Sequence, residues 1–325
     1  MSEYQDLIFS DNWIISKRGK KNPVDVQRPY AWIVEKERTH SGDIDDIAVI
    51  FLTNRECPFH CLMCDLWKNT TDETIPPGSI PNQIEWALEQ MPVVKHIKLY
   101  NSGSFFDERA IPLAEYKRIA SLLSSFETVI VESHPKLING KCLKFRDMLK
   151  PDLQIALGLE TVHPEILRRL NKQMTIEEFR TSVDYLSQNG VRSRAFVLLR
   201  PPFMSEAEGV YWAERSLDFA FSCGVECCTI IPVREGNGVM DILLEKGEFT
   251  LPDIHSLETV LEYGIGLKAG RVFADVWDLA QFSGCEKCIN QRTRRLITMN
   301  LNQKIISRYK CTCDSFINRL NTMLK

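Results

Sequence analysis

From about Asp46 onward, short apolar runs alternate with stretches whose apolar residues recur at helical spacing. The runs Ile47 to Thr53, Val93 to Tyr100, Thr128 to Glu132, Leu153 to Leu159, Val191 to Leu199 and Val225 to Val233 have the length and composition of buried strands. Between them Ile84, Ala87, Leu88 and Met91 fall on one helix face, as do Leu113, Tyr116, Ala120 and Leu123, and Ile176, Phe179, Val183 and Leu186. Thr175 with Glu178 reads as a capping box and Asn189-Gly190 as a helix stop. Six strand-then-helix units predict a parallel sheet covered on both faces. The expected fold is α/β: a partial (β/α)6 TIM-like barrel with parallel strands, plus a small Cys-rich C-terminal module. The expected divisions are an N-terminal extension over 1–45, the barrel over 46–269 and the module over 270–325. The extension is polar and carries the basic patch Lys17-Arg18-Gly19-Lys20-Lys21.

The barrel expectation locates the chemistry. In such folds the reacting groups sit where the loops after the strands converge, at the C-terminal strand ends. Composition narrows the choice: 44% hydrophobic and 26% charged residues in 325 suffice for one large core. No apolar run approaches the ~18 to 20 residues of a membrane span. The start, Met1 to Asp6, lacks the basic and apolar stretches of a secretory signal. A cytoplasmic protein with no membrane partner is therefore expected. A net charge of −3 argues against wholesale coating of nucleic acid but leaves room for a local cationic face. Eleven cysteines in a reducing compartment point to metal ligation rather than disulfides.

Seven of those cysteines fall into two groups. The first follows the first strand in Arg55-Glu56-Cys57-Pro58-Phe59-His60-Cys61-Leu62-Met63-Cys64. Three thiolates on such a loop can wrap one face of a cubane cluster and leave one iron open, whereas structural zinc closes its shell with four ligands. A zinc site completed by His60, or three unrelated core cysteines, are the alternative readings of the same residues. Cys142, Cys223, Cys227 and Cys228 lie in apolar-periodic segments and read as small core residues.

This spacing resembles the signature of the radical S-adenosylmethionine (SAM) superfamily, in which SAM chelates the open iron and is cleaved to a 5'-deoxyadenosyl radical. The resemblance implies a 4Fe-4S cluster on Cys57, Cys61 and Cys64 and a reductant such as flavodoxin or ferredoxin. Met63 takes the position at which the family sets a side chain against adenine. Asn101-Ser102-Gly103-Ser104 matches the loop that meets the SAM amino group, although it lacks the usual glutamate. Glu132, in Glu132-Ser133-His134-Pro135, and Glu160, in Gly158-Leu159-Glu160-Thr161, are SAM-site candidates at strand ends, where a carboxylate can accept from ribose hydroxyls or the SAM ammonium. Arg194 would clamp the SAM carboxylate if it points inward. Arg234 and the glycines of Gly236-Asn237-Gly238 could approach a ligand.

The second group is Cys285-Glu286-Lys287-Cys288 and, after twenty-two residues, Cys311-Thr312-Cys313. Four such thiols suit tetrahedral zinc or a second cluster. Between the pairs, Arg292, Arg294, Arg295, Lys304, Arg308 and Lys310 occur with no acidic residue over 291–310, a stretch that could dock RNA. With these motifs, the chain resembles the archaeosine-synthase radical SAM protein and its bacterial relatives, in the Elongator/methylthiotransferase-like branch. In that family the radical cleaves a lysine adduct on a deazaguanine base of tRNA, which implies carbon–nitrogen lyase chemistry with tRNA as partner. Two alternatives stand beside it: radical modification of a peptide or small metabolite with an auxiliary C-terminal cluster, and a zinc-stabilised binding protein without enzymatic activity. Nothing in the sequence fixes the oligomeric state.

Overall fold

A computed structural model describes residues 8–311. It contains eight strands, β1 (Ala31–Arg38), β2 (Ile44–Phe51), β3 (His96–Tyr100), β4 (Thr128–Ser133), β5 (Asp152–Glu160), β6 (Arg192–Leu199), β7 (Cys227–Pro232) and β8 (Arg271–Ala274). The helices are α1 (Asp11–Lys17), α2 (Ser79–Gln90), α3 (Tyr116–Leu122), α4 (Gly140–Met148), α5 (Pro164–Arg169), α6 (Ile176–Gln188), α7 (Glu206–Ser222), α8 (Val239–Glu245), α9 (Ile254–Leu267) and α10 (Ile289–Asn302). The strands lie in one sheet in sequence order. Neighbours from β2 to β8 pair in parallel, and β1 folds back antiparallel on β2, Ala31 opposite Phe51. The sheet curls into a half-barrel.

All six strands expected from periodicity are present, as β2 to β7, and the sheet continues past both expected barrel boundaries. β1 lies inside the expected extension and β8 inside the expected module. The pleat explains the two faces. Ala48, Ile50 and Leu52, with Ile97, Leu99, Val129, Val131, Ala195 and Val197, join the buried core formed with the surrounding helices. Successive side chains of a strand point to opposite sides, so Lys98, Tyr100, Glu132, Arg194 and Phe196 face the concave interior. The helix signals hold as well: Thr175 and Glu178 form a reciprocal capping box at α6, and Ser205 with Glu208 forms another at α7. A second core, including Phe9, Ile14, Leu62, Ile166, Leu198 and Met240, packs α1, α5 and α8 around the cluster loop. No helix among the described residues is long and apolar enough to cross a membrane.

Two cations of the basic C-terminal stretch do not contribute to the cationic face that its composition suggested. Residues 289–302 form a helix, and Arg292 and Arg295 lie on its buried side. Glu258 of α9 accepts from Arg292 (2.6 Å) and Arg295 (3.0 Å), and Glu262 accepts from Arg308 (2.8 Å) as well as Arg295. A guanidinium removed from water needs such partners, which come from a distant helix. Arg294, Lys304 and Lys310 remain exposed.

Candidate active site at the barrel mouth

The loop after β2 carries Cys57, Cys61 and Cys64 across the C-terminal strand ends, and its backbone is held from several sides. Leu62 N–H donates to Leu170 O (2.9 Å). The Asn171 amide donates to His60 O (2.9 Å), and the Asn237 amide donates to Leu62 O (2.8 Å) and Cys64 O (3.1 Å). His134 stacks on Phe59 with ring centroids 3.6 Å apart. Its Nδ1 accepts from Lys136 N–H (3.2 Å), which leaves Nε2 to donate to Lys172 O (2.9 Å). Burial and the cation of Lys172 keep the ring neutral and lower its pKa to about 3. His134 is thus a prop beneath the cluster loop.

The N-terminal segment seals the other side. Asp11 lies 3.1 Å from His60 Nδ1 and accepts from Asn171 (2.6 Å). Glu56 pairs with Arg18 (2.5 Å) and Lys21 (2.7 Å), while the Arg18 guanidinium covers Trp67 at 5.1 Å. Gly238, expected to admit a ligand, admits this segment instead: a Cβ there would meet Lys17 O at 2.1 Å. Arg234, considered as a substrate contact, pairs with Asp275 at 2.9 Å.

Burial pushes all three thiols up, Cys57 to about 12, because a thiolate there would lose its hydration. The cation that bears most on Cys57 and Cys61 is Lys172, whose ammonium pairs with Glu160 at 2.6 Å. Burial disfavours its charge, but Glu160 and Cys61 reverse that and raise its pKa. The pair lies over Gly158, where a Cβ would meet Glu160 Oε1 at 2.3 Å and Lys172 Nζ at 2.4 Å. Lys172 was not singled out from sequence.

Beside this pair, the loop after β3 is organised by Glu132. Its carboxylate accepts from Asn101 N–H (2.6 Å) and Gly103 N–H (3.4 Å). Burial raises the Glu132 pKa to about 7 against these backbone donors. Gly103 lies directly on the cluster loop, since a Cβ there would stand 3.1 Å from Cys57 Cβ. The Asn101 side chain is fully buried and neither of its amide atoms has a hydrogen-bond partner among the described residues. Ser102 takes a left-handed φ of 52° and its hydroxyl meets Tyr30 OH at 3.2 Å; Ser104 Oγ accepts from His134 N–H (2.8 Å). Glu160 (φ 66°) and Arg200 (φ 52°) share this conformation at the ends of β5 and β6. Such backbone, unfavourable for residues with a Cβ, gathers at functional loops. Met63 is half-buried and packs on the second core.

Arg194 departs from expectation. It points into the barrel, but Glu37 of β1 accepts from its Nη1 (3.1 Å) and also from Nη2, while Lys98 donates to the same carboxylate (2.5 Å). Burial opposes a charge on Glu37, yet Arg194 and Lys98 hold its pKa well below the usual range. Arg194 therefore belongs to an ionic floor below the mouth and not to the loops around Cys57. Tyr100 and Phe196, two residues further along β3 and β6 than Lys98 and Arg194, face the same interior with ring centroids 6.4 Å apart.

At the other end of the chain Cys285, Cys288 and Cys311 converge, with all three sulfurs within 4.8 Å of one another. Cys313 lies outside the described residues.

The Radical SAM superfamily model matches residues 51–208. An uncharacterized protein of Methanocaldococcus jannaschii is 24% identical, over 92% of this chain and 88% of its own length. The archaeosine synthase subunit beta of Thermococcus kodakarensis is 24% identical over 80% of this chain and 82% of its own. Among solved structures, Elp3 of Methanocaldococcus infernus aligns with a TM-score of 0.50 at 14% identity, covering 69% of this chain and 59% of that one. Streptococcus suis SuiB bound to S-adenosylmethionine aligns with a TM-score of 0.50 at 13% identity, covering 74% of this chain and 51% of that one. The last two likenesses concern the fold. With the three-cysteine loop at the mouth of a half-barrel and a family match that runs from it to α7, residues 51–208 form a radical SAM superfamily domain and the chain is a radical SAM enzyme.

Proposed function

We propose that this enzyme holds a 4Fe-4S cluster on Cys57, Cys61 and Cys64, binds SAM beside it, and modifies a base of tRNA by carbon–nitrogen lyase chemistry of the archaeosine-synthase kind. The observation that carries the SAM site is the seating of Gly103 on Cys57 next to the buried, unpartnered amide of Asn101. That juxtaposition leaves one polar side chain, in the loop where the family meets the SAM amino group, without a partner of its own. An unpaired buried amide costs about 1–3 kcal/mol, and a polar ligand would remove that cost. With cluster and SAM bound, the chemistry supplied is one-electron cleavage of the sulfur–carbon bond and hydrogen abstraction from the substrate.

The chain's own residues set the stage for that chemistry. Glu132 fixes the Asn101 to Gly103 loop by accepting its N–H groups and offers its remaining oxygen to an ammonium. Lys172 offsets negative charge at Cys57 and Cys61, and Glu160 holds Lys172 in place. His134 and Asn237 fix the cluster loop. The ionic floor of Glu37, Lys98 and Arg194 closes the barrel below, so substrate enters from the mouth, and a tRNA base must leave its stack to reach it.

Support for tRNA comes from two relatives named archaeosine synthase subunit beta. Their names imply a second subunit, and a partner that presents the RNA fits a chain with net charge −3. A flavodoxin or ferredoxin as electron donor completes the reading. The test is anaerobic reconstitution, reduction with dithionite, and incubation with SAM and tRNA carrying the lysine adduct. One 5'-deoxyadenosine per base converted to the amidine is expected in nucleoside mass spectra. Release of 5'-deoxyadenosine with every tRNA nucleoside unchanged would transfer the activity to a peptide or metabolite.

A further inference from the structure

The half-barrel leaves a seam between its edge strands, β1 and β8, and α10 lies along it. The Asn300 amide exchanges hydrogen bonds with Ala274 N–H (2.9 Å) and Ala274 O (2.8 Å). Gln303 does the same with Val272 N–H (2.8 Å) and Val272 O (2.8 Å). Two side-chain amides thus complete the open edge of β8, which would otherwise present unpaired backbone groups. On the β1 side, Arg38 donates to Leu301 O at 3.2 Å. Later residues of α10 meet earlier residues of β8, so the helix runs antiparallel to that strand. Its N-terminus, with Cys288, is directed toward the mouth end of the barrel.

At that N-terminus Cys285 Sγ and Cys311 Sγ are 3.8 Å apart. This is far beyond a disulfide bond, about 2.05 Å. It equals the edge of a tetrahedron of thiolates about 2.3 Å from one central ion, which is about 3.8 Å. In a cubane each thiolate binds a different iron, so its sulfurs stand further apart. Arg292 Nε donates to Cys288 Sγ at 3.3 Å, and its Nη1 is held by the fully buried Glu258 at 2.6 Å. A fixed guanidinium against a sulfur offsets the charge that the sulfur carries once it is a metal-bound thiolate.

We propose that Cys285, Cys288 and Cys311 hold a single zinc-like divalent ion, and that this ion staples α10 over the seam. A fourth ligand from beyond these three completes a tetrahedral shell. Each thiol releases its proton on binding, so metal binding and the fastening of α10 are coupled. The site is separate from the radical chemistry and stands whether or not tRNA is the substrate.

The test uses the full chain, purified without added zinc and reconstituted anaerobically with iron and sulfide. Metal analysis should give about one zinc and about four iron per chain. Cobalt(II) in place of zinc should give the thiolate charge-transfer absorption and the visible bands of a tetrahedral site. Cys288→Ser should lose the zinc, keep the iron, and speed amide exchange in 31–38, 271–274 and 289–302. About eight iron and no zinc would overturn the proposal in favour of a second cluster. Loss of zinc with unchanged exchange along the seam would overturn the staple. If Cys288→Ser does not fold, metal stoichiometry and the cobalt spectrum of the wild type still decide the ion.

Discussion

Gly103 rests against Cys57 so closely that a methyl group on its Cα would stand 3.1 Å from Cys57 Cβ. The contact joins the loop after β3 to the cluster loop, so its disruption should affect both. Gly103→Val must push the two apart at an overpacking cost of about 1–3 kcal/mol. The expected outcome is weaker SAM binding, by about tenfold for each 1.4 kcal/mol lost at the site. Calorimetric titration of the reconstituted variant checks it; unchanged affinity would remove Gly103 from the SAM loop.

Lys172 and Glu160 form a buried pair 2.6 Å apart. Lys172→Met leaves the Glu160 carboxylate without its cation, a loss of about 3–5 kcal/mol for a pair this enclosed. Adding Glu160→Gln should restore much of the stability, since no unpaired charge is then buried. Urea unfolding of the two single variants and the double variant measures the coupling. Removing the ammonium near Cys57 and Cys61 should also lower the reduction potential of a cluster bound there, because added negative charge is then less well offset. Equal stability of all three variants, or an unchanged potential in a redox titration, would contradict the role.

Glu132 has its pKa raised to about 7. A carboxyl raised above its ordinary value stabilises the fold fully below that ordinary value, about 4.5, and loses this contribution as pH rises through about 7. Binding of the SAM ammonium has the opposite sign, since it needs the carboxylate and should strengthen as pH rises through the same range. Glu132→Gln should flatten the pH dependence of both quantities. Thermal melting and SAM titration across that range test the two signs separately.

For His134 the direction reverses, because its folded pKa, about 3, lies below the ordinary 6.5. Stability from the neutral ring is present above 6.5 and is lost as pH falls toward 3. His134→Phe keeps the ring against Phe59 but drops the bond to Lys172 O, so it should cost about 0.5–1.5 kcal/mol and weaken the acid dependence of cluster retention. Iron release followed by absorbance from neutral to acid pH is the measurement.

Arg295, buried between Glu258 and Glu262, should behave as a structural residue. Arg295→Ala should lower stability by about 3–5 kcal/mol. Its effect on the salt dependence of tRNA binding should be indirect at most. Arg294, exposed on the same helix, should alter stability little and change the salt slope by about 0.7–0.9 if it meets a phosphate. Filter binding across a salt series separates the two.

The periodicity of short apolar runs and helical repeats determined β2 to β7 and the helices between them, because a buried parallel strand and an amphipathic helix each impose a pattern that local sequence carries. The three-cysteine loop at a strand end and the Thr175–Glu178 capping box were legible for the same reason, whereas Asn101 to Ser104, Glu132 and Glu160 became candidates through the family resemblance. β1 was not, because Glu35 and Glu37 are charged residues on a strand that turns toward the barrel interior, and their partner Lys98 lies 61–63 positions away. Arg194 looked equally able to clamp a ligand or to face water; only its meeting with Glu37, 157 residues distant, assigned it to the floor. Arg292 and Arg295 read as a basic surface because charge composition is local, whereas the carboxylates that neutralise them stand on α9. Lys172 gained its place beside Cys61 through the folding of the loop after α5, which no spacing in the chain encodes. Pairings between distant buried charges depend on which faces meet, and that is a property of the tertiary fold.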